Sequence, residues 1–279
     1  MNKILYFLSI LTLCFGQKLN FAPKIKNPKG EKAIVILIPS YNNERFFEDN
    51  LTSVINQKYK NFRVVYTNDA STDKTGELVI DFMEKNFDID RFTYMENKMN
   101  MGALYNIYHM VHNCKNEEVV CILDGDDKFF HNKVLQRINQ AYADDSVWMT
   151  YGQDFCRIKK AGHSLATPYQ VLKQGEHRKL SYRWSALRTY YAGLFKQVPK
   201  EKWLTDQSFF PFAQDIAQVL FLIDLAREHV FFIPEILYVY NVENPINDFK
   251  KNLKEQIKYR NLIWNLPPLE KLNSKDDFL

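Results

Sequence analysis

The sequence predicts an α/β fold with a mostly parallel central sheet, and three observations carry the prediction. Apolar, β-branched runs alternate with helical-period segments four times over about a hundred residues. Runs such as "AIVILI" are continuous rather than alternating, which suits strands covered on both faces. Each of three runs also ends in polar residues: Pro39-Ser40-Tyr41, Asp69, and Asp124-Gly125-Asp126-Asp127. Strand–helix alternation builds parallel strands through right-handed crossovers, and ligands of such sheets gather beyond the strands' carboxyl ends.

Taken in order, Ala33 to Ile38 is the first strand, and Asn42 and Asn43 are placed to cap a following helix. Phe47, Leu51, Val54 and Ile55 fall on one face of that helix. "NFRVVYTND" is a second strand ending at Asp69, Thr75 to Lys85 a second helix, and "RFTYME" a third strand. A helix over about Gly102 to His112 leads to the fourth strand, "EEVVCILD". Beyond Trp148 aromatic and basic residues intermix, and an apolar helix spans about Gln214 to Arg227. "VFFIPEILYVYN" reads as a strand or two around Pro234, and Asp248 to Leu279 as a charged helix with a Pro-containing tail. The divisions are therefore residues 33–147, 148–250 and 251–279, with no internal repeat.

The 279 residues are 46% apolar and 25% charged, ordinary for a globular chain with a sizeable core. A net charge of +4 without a long basic run gives no indication of sequence-independent nucleic-acid binding, and no nucleic-acid partner is expected. Cys14, Cys114, Cys121 and Cys156 form no C-x-x-C pair, so neither a zinc site nor a disulfide framework is expected. Residues 1–16 contain an apolar run, Ile4 to Gly16, followed by a Lys-, Pro- and Gly-containing linker over residues 17–32. The run has the length of a secretory signal's apolar region, whereas the lysines that follow suit a short membrane anchor with a cytoplasmic body. Both readings stay open.

Chemistry concentrates at Asp124, Asp126 and Asp127. Three carboxylates in four residues repel one another unless a cation neutralises them, and oxygen-ligated divalent metals commonly bridge phosphates. The plainer reading is an acidic turn that caps the next helix. Together with "IVILIPSYNNERFFEDNLTSVINQKYKNFRVVYTNDASTDKT", the later "CILDGDD" resembles glycosyltransferase family 2 over about a third of the chain. The resemblance implies a GT-A-like three-layer sandwich, a nucleotide-sugar donor (a UDP-sugar first among them), and a divalent metal, Mn2+ or Mg2+. It places Pro39 and Tyr41 at the donor base, Asp69 on a base N–H, Asp124 near the ribose, and Asp126 and Asp127 on the metal. Tyr41 as a helix-start residue and Asp69 as a turn former are the structural alternatives.

"FFPFAQDIAQVLFLIDLA" resembles the family's second-half element and puts Asp215 in the position of the catalytic base of an inverting enzyme. A helix-capping carboxylate is the alternative there. The family's preceding acid is Gln214, the usual Arg of its N-x-G helix start is Tyr105, and a common Trp after the acidic motif is Lys128. No Q-x-x-R-W motif occurs, which within the family favours non-processive transfer to a glycan, lipid or protein acceptor. Arg188, in "WSALRTYYAGLF", could lie near the diphosphate, although core packing explains its aromatic neighbours equally well. A degenerate domain that binds without turnover is the alternative function. Asp73-Lys74-Thr75-Gly76 mimics an aspartyl-phosphate loop, but Asp73 falls four residues past the strand end at Asp69. The first-strand loop also lacks the glycines of a nucleotidyltransferase.

Overall fold

The computed structural model describes residues 30–156, 164–246 and 251–279. The segment 1–16 with Cys14, linker residues 17–29 and the expected helix start at Asp248 lie outside them. The first half contains β1 (Ile34–Ser40), α1 (Phe47–Ile55), β2 (Phe62–Asn68), α2 (Thr75–Asn86), β3 (Phe92–Glu96), α3 (Ala103–His112) and β4 (Val119–Ile122). After it come β5 (Lys128–Phe129), α4 (Val134–Ala141), β6 (Met149–Cys156), α5 (Tyr169–Gln174), β7 (Thr189–Tyr191) and α6 (Ala192–Lys196). The chain then forms a small hairpin, β8 (Leu204–Thr205) with β9 (Ser208–Phe209), followed by α7 (Gln214–Ala226), β10 (Val230–Tyr240) and α8 (Leu253–Trp264).

One eight-stranded sheet, ordered β3-β2-β1-β4-β7-β6-β10-β5, runs through both halves. β3, β2, β1 and β4 are mutually parallel, as are β6 and β10, while β7 and β5 run antiparallel to their neighbours. All seven residues of β1 are buried, because helices cover both faces of a central parallel strand. Each buried Ile, Val or Leu contributes roughly 1.5–3 kcal/mol before the entropy of ordering is subtracted. Cys114, Cys121 and Cys156 are buried free thiols.

β10 resolves the ambiguity around Pro234. It is a single strand whose pairing with β6 shifts register between Phe232 and Ile236, where proline has no N–H to give the ladder. α7 is apolar nearly all round, and everything from Ile216 to Ala226 is buried. Its one buried acid, Asp224, is met by Arg178 at 2.5 Å. The same guanidinium donates to the carbonyls of Ile263, Trp264 and Leu266, tying the end of α8 to the core. Among the described residues, no helix is long and apolar enough to cross a membrane.

Candidate active site

Register delivers the first group of polar residues. β1 pairs with β2 up to Ser40↔Asn68, so both chains leave the sheet at the same level. The Ser40 hydroxyl accepts from Tyr66 Oη (2.7 Å) and from Asn43 Nδ2 (2.9 Å), which pins the turn at the end of β1. The Pro39 carbonyl accepts from the Gly125 amide at 3.1 Å. Tyr41 is exposed, at 36%, and presents a planar face at this edge.

Asn42 and Asn43 do not cap α1, which begins at Phe47 without a side-chain cap. Instead Asn42 takes a left-handed conformation (φ 53°) and cross-links the two loops. Its amide donates to Ser71 Oγ (2.9 Å) and its Oδ1 accepts from the Thr72 amide (2.7 Å). Asp73 is engaged inside the same junction: Oδ1 accepts from the Thr75 amide and hydroxyl, and Oδ2 from the Glu44 amide. It is a loop brace at the entry to α2.

Asp69 is 3% exposed and carries three hydrogen bonds. Oδ1 accepts from Asn97 Nδ2 (2.7 Å) and the Met101 amide (2.8 Å), and Oδ2 from the Gly102 amide (2.8 Å). A carboxylate offers about four lone-pair sites, so one remains for a ligand donor. Asp69 thus holds the loop that starts α3.

The acidic turn after β4 is fastened from three sides. Asn50 of α1 donates to the carbonyls of Asp124 (2.9 Å) and Asp127 (2.7 Å). At Gly125 a Cβ would stand 2.5 Å from Ser40 Oγ and 2.8 Å from Asn43 Nδ2, so the close approach of turn to β1 requires glycine. On the third side β5 pairs antiparallel with β10, setting Tyr238 opposite Phe129 and bringing the end of β10 alongside.

Asp127, expected on the metal, is bonded within the protein. This side chain is 2% exposed and turned toward β10. Its Oδ2 accepts from Tyr238 Oη (2.6 Å) and its Oδ1 from the Asn241 amide (2.6 Å). Burial, then the charges of Asp126 and Asp124, push its carboxyl well above the usual range. Asp124 and Asp126 are both half-buried. Burial followed by repulsion from Asp126 raises Asp124 to about 6, against the opposing pull of Arg188. Burial also raises Asp126, whose Oδ2 accepts from Asn244 Nδ2 at 2.7 Å.

A divalent cation fits this donor set. The carboxylates are hard oxygen donors crowded in a partly buried turn, and crowding of that kind is relieved by positive charge. No group of three or more His, Cys, Asp or Glu among the described residues could hold a metal by itself. Such a set matches an ion bound by one or two carboxylates and completed by substrate phosphate.

The second half supplies the opposite wall. β7 runs antiparallel to β4 with Cys121↔Thr189 paired, so Arg188, one residue earlier, sits beside the carboxyl end of β4. Its Nη1 lies 3.6 Å from Asp215 Oδ2 and 3.4 Å from Tyr182 Oη. The Tyr182 hydroxyl lies 3.1 Å from the same Asp215 oxygen and 2.9 Å from the Trp184 carbonyl, its one proton shared between the two acceptors. Asp215 stands in the first turn of α7, with its side chain 34% exposed. Arg188 is charge-coupled to both Asp215 and Asp124; burial works against its charge, but the neighbouring phenols and carboxylates hold it firmly protonated. Trp184, Tyr190, Tyr191 and Phe195 around it are core residues.

Sequence reasoning thus finds Pro39, Tyr41, Asp69, Asp124, Asp126 and Asp215 at one sheet edge. It misses Asn50, Tyr182, Tyr238, Asn241 and Asn244. Their signal is pairing between residues far apart in sequence, from 33 positions for Tyr182 with Asp215 to 118 for Asn244 with Asp126; one strand run does not encode such contacts.

A parallel half-sheet with carboxylates at its strand ends, walled by a second half bearing a basic and an acidic group, defines an α/β domain of GT-A type. The model of the family "Glycosyl transferase family 2" matches residues 35–199, more than half of the chain, and the chain belongs to that family. It is similar to an uncharacterized glycosyltransferase of Haemophilus influenzae, 28% identical over 153 residues, covering 53% of this chain and 59% of that one. The mannosyltransferase PcManGT from Pyrobaculum calidifontis, solved in complex with GDP-Man and Mn2+, superposes with a TM-score of 0.59 at 18% identity. That match covers 87% of this chain and 65% of the other. TarS 1–349 from S. aureus, in complex with UDP-GlcNAc, gives a TM-score of 0.56 at 15% identity, covering 76% and 59%. These likenesses show the fold. The chain spans 14%, 9% and 59% of the lengths of three curated relatives it matches.

Proposed function

We propose that this protein transfers a sugar from a nucleotide-sugar donor to an acceptor hydroxyl, with inversion and without processive synthesis. Transfer is assisted by Mn2+ or Mg2+. One observation carries the reading: Arg188, set by the β4–β7 pairing beside the strand end that leads into Asp124, lies 3.6 Å from Asp215 at the start of α7, so carboxylates of both halves share one guanidinium.

In this reading the Tyr41 ring takes the face of the base, and the remaining lone pair of Asp69 accepts from a base N–H. Asp124 approaches the ribose, while Asp126, with Asp124 beside it, would hold the cation. When bound, the cation supplies positive charge against the charge that develops on the diphosphate leaving group. Asp215 is partly exposed and oriented by Tyr182 and Arg188, so it is placed to take the acceptor hydroxyl's proton as the oxygen attacks the anomeric carbon. Arg188 offers a fixed positive charge on the same wall. PcManGT with GDP-Man and Mn2+, and TarS with UDP-GlcNAc, support the donor class and the metal.

The test is a thermal-shift screen of UDP-, GDP- and dTDP-sugars with Mn2+, since ligand binding raises apparent stability by mass action. Transfer assays on the best donor follow. Asp215→Asn is expected to keep the donor-induced shift and lose transfer by about 10²-fold or more. Normal turnover in that variant removes Asp215 as the base. Donor binding by the wild-type chain without turnover on any acceptor would mark a binding domain instead.

A further inference from the structure

Beyond β10 the chain crosses the acidic turn and touches it twice. The Asn241 amide closes on Asp127, and Asn244 Nδ2 reaches Asp126 Oδ2 at 2.7 Å from 118 residues away in sequence. Asn244 is 4% exposed. Its Oδ1 accepts from the Ile246 amide at 3.0 Å, which fixes which end of the carboxamide faces the acid. The same Nδ2 lies 3.5 Å from Asn43 Oδ1, and Asn43 donates to Ser40. One amide therefore joins β10, the acidic turn and the end of β1.

The direction of the bond matters. A carboxamide N–H can only donate, so it favours the ionised carboxylate and holds one oxygen in place. Beside Asn244, the Asp126 carboxylate is bonded by its own backbone amide. A half-buried carboxylate held in place by a neutral donor is the arrangement by which outer groups orient metal ligands.

We propose that Asn244 is a positioning residue for the cation site, fixing the Asp126 carboxylate in the orientation in which it meets a divalent metal. The inference rests on the metal-assisted reading above. It gives three residues of the turn and its surroundings distinct roles. Asp126 binds the cation, Asp127 anchors the turn to β10, and Asn244 sets the geometry of Asp126.

The test compares the full chain with Asn244→Ala. Mn2+ binding is followed by electron paramagnetic resonance of the free ion, with and without UDP, and with GDP in a parallel series. Nucleotide affinity is measured separately in EDTA, and the fold is checked by circular dichroism. Expected is a Kd for Mn2+ raised at least about tenfold, with metal-free nucleotide affinity unchanged. Unchanged Mn2+ affinity overturns the inference. So does a parallel loss of metal-free nucleotide affinity, which would make Asn244 a general brace of the turn. A wild-type chain that takes up no Mn2+ with either nucleotide overturns the metal reading itself, and the inference with it. Should Asn244→Ala not fold, Asn244→Ser is measured in its place and read in the same way.

Discussion

The Arg188 guanidinium stands 3.6 Å from the Asp215 carboxylate and shares Tyr182 with it, on the wall that faces Asp124. Its side chain is 12% exposed, so this positive charge is little screened by water. It offsets two carboxylates from opposite halves and remains available to an anionic leaving group. Arg188→Met keeps most of the volume and removes the charge. The expected result is transfer slowed about 10²-fold, the scale of losing one electrostatic contact to a transition state. Arg188→Lys should recover only part, because an ammonium lacks the planar fork. Steady-state kinetics on the donor found by the screen decides it, and full activity in Arg188→Met removes Arg188 from the mechanism.

Asp69 offers a second test, because its carboxylate does structural work whatever the ligand. Three donors converge on it: the Asn97 side chain and the amides of Met101 and Gly102. In Asp69→Asn one acceptor oxygen becomes an NH2 that faces those donors. Leaving a buried amide unsatisfied costs about 1–3 kcal/mol, so urea denaturation should show a loss of roughly 2 kcal/mol beside weaker nucleotide binding. A variant of wild-type stability that lost only nucleotide affinity would make Asp69 a base contact alone.

The sequence was most informative where one strand run settles the outcome. The apolar run from Ile34 sets β1, parallel pairing with β2 and β4 levels their ends, and Pro39, Asp69 and Asp124 follow at one edge. Asp127 shows the limit of that reasoning. Next to Asp126 in sequence it reads only as a ligand, yet in the fold Tyr238 and Asn241 each bond one of its oxygens. That outcome depends on the antiparallel pairing of β5 with β10 across more than a hundred residues. Asn42 and Asn43 mislead for a related reason. Local propensity favours helix caps, whereas the loop after β2 offers them partners that no local pattern reveals.

The crowding of the acidic turn predicts a specific coupling of stability to pH. An unperturbed aspartate ionises near 3.8, whereas Asp124 in the folded chain is raised to about 6, by burial first and Asp126 second. Between those limits the folded state keeps a proton that the unfolded chain has released. Stability attributable to Asp124 must therefore fall as pH rises from about 4 through about 6. The loss is roughly 2 kcal/mol for this half-buried group. Asp126 and Asp127 are displaced in the same direction. Glu118, however, is held low: burial alone would raise it, but its bonds to Arg63 prevail, so its contribution runs the other way. The informative quantity is accordingly the difference between wild type and Asp124→Asn in metal-free urea titrations. Wild type should lose ground to the variant as pH rises across this window. Mn2+ with bound nucleotide should reverse the trend, because a cation favours the ionised carboxylates. A difference that stays flat from pH 4 to 6.5 in EDTA would show that Asp124 is not strained by its surroundings and that the turn needs no cation to relieve it.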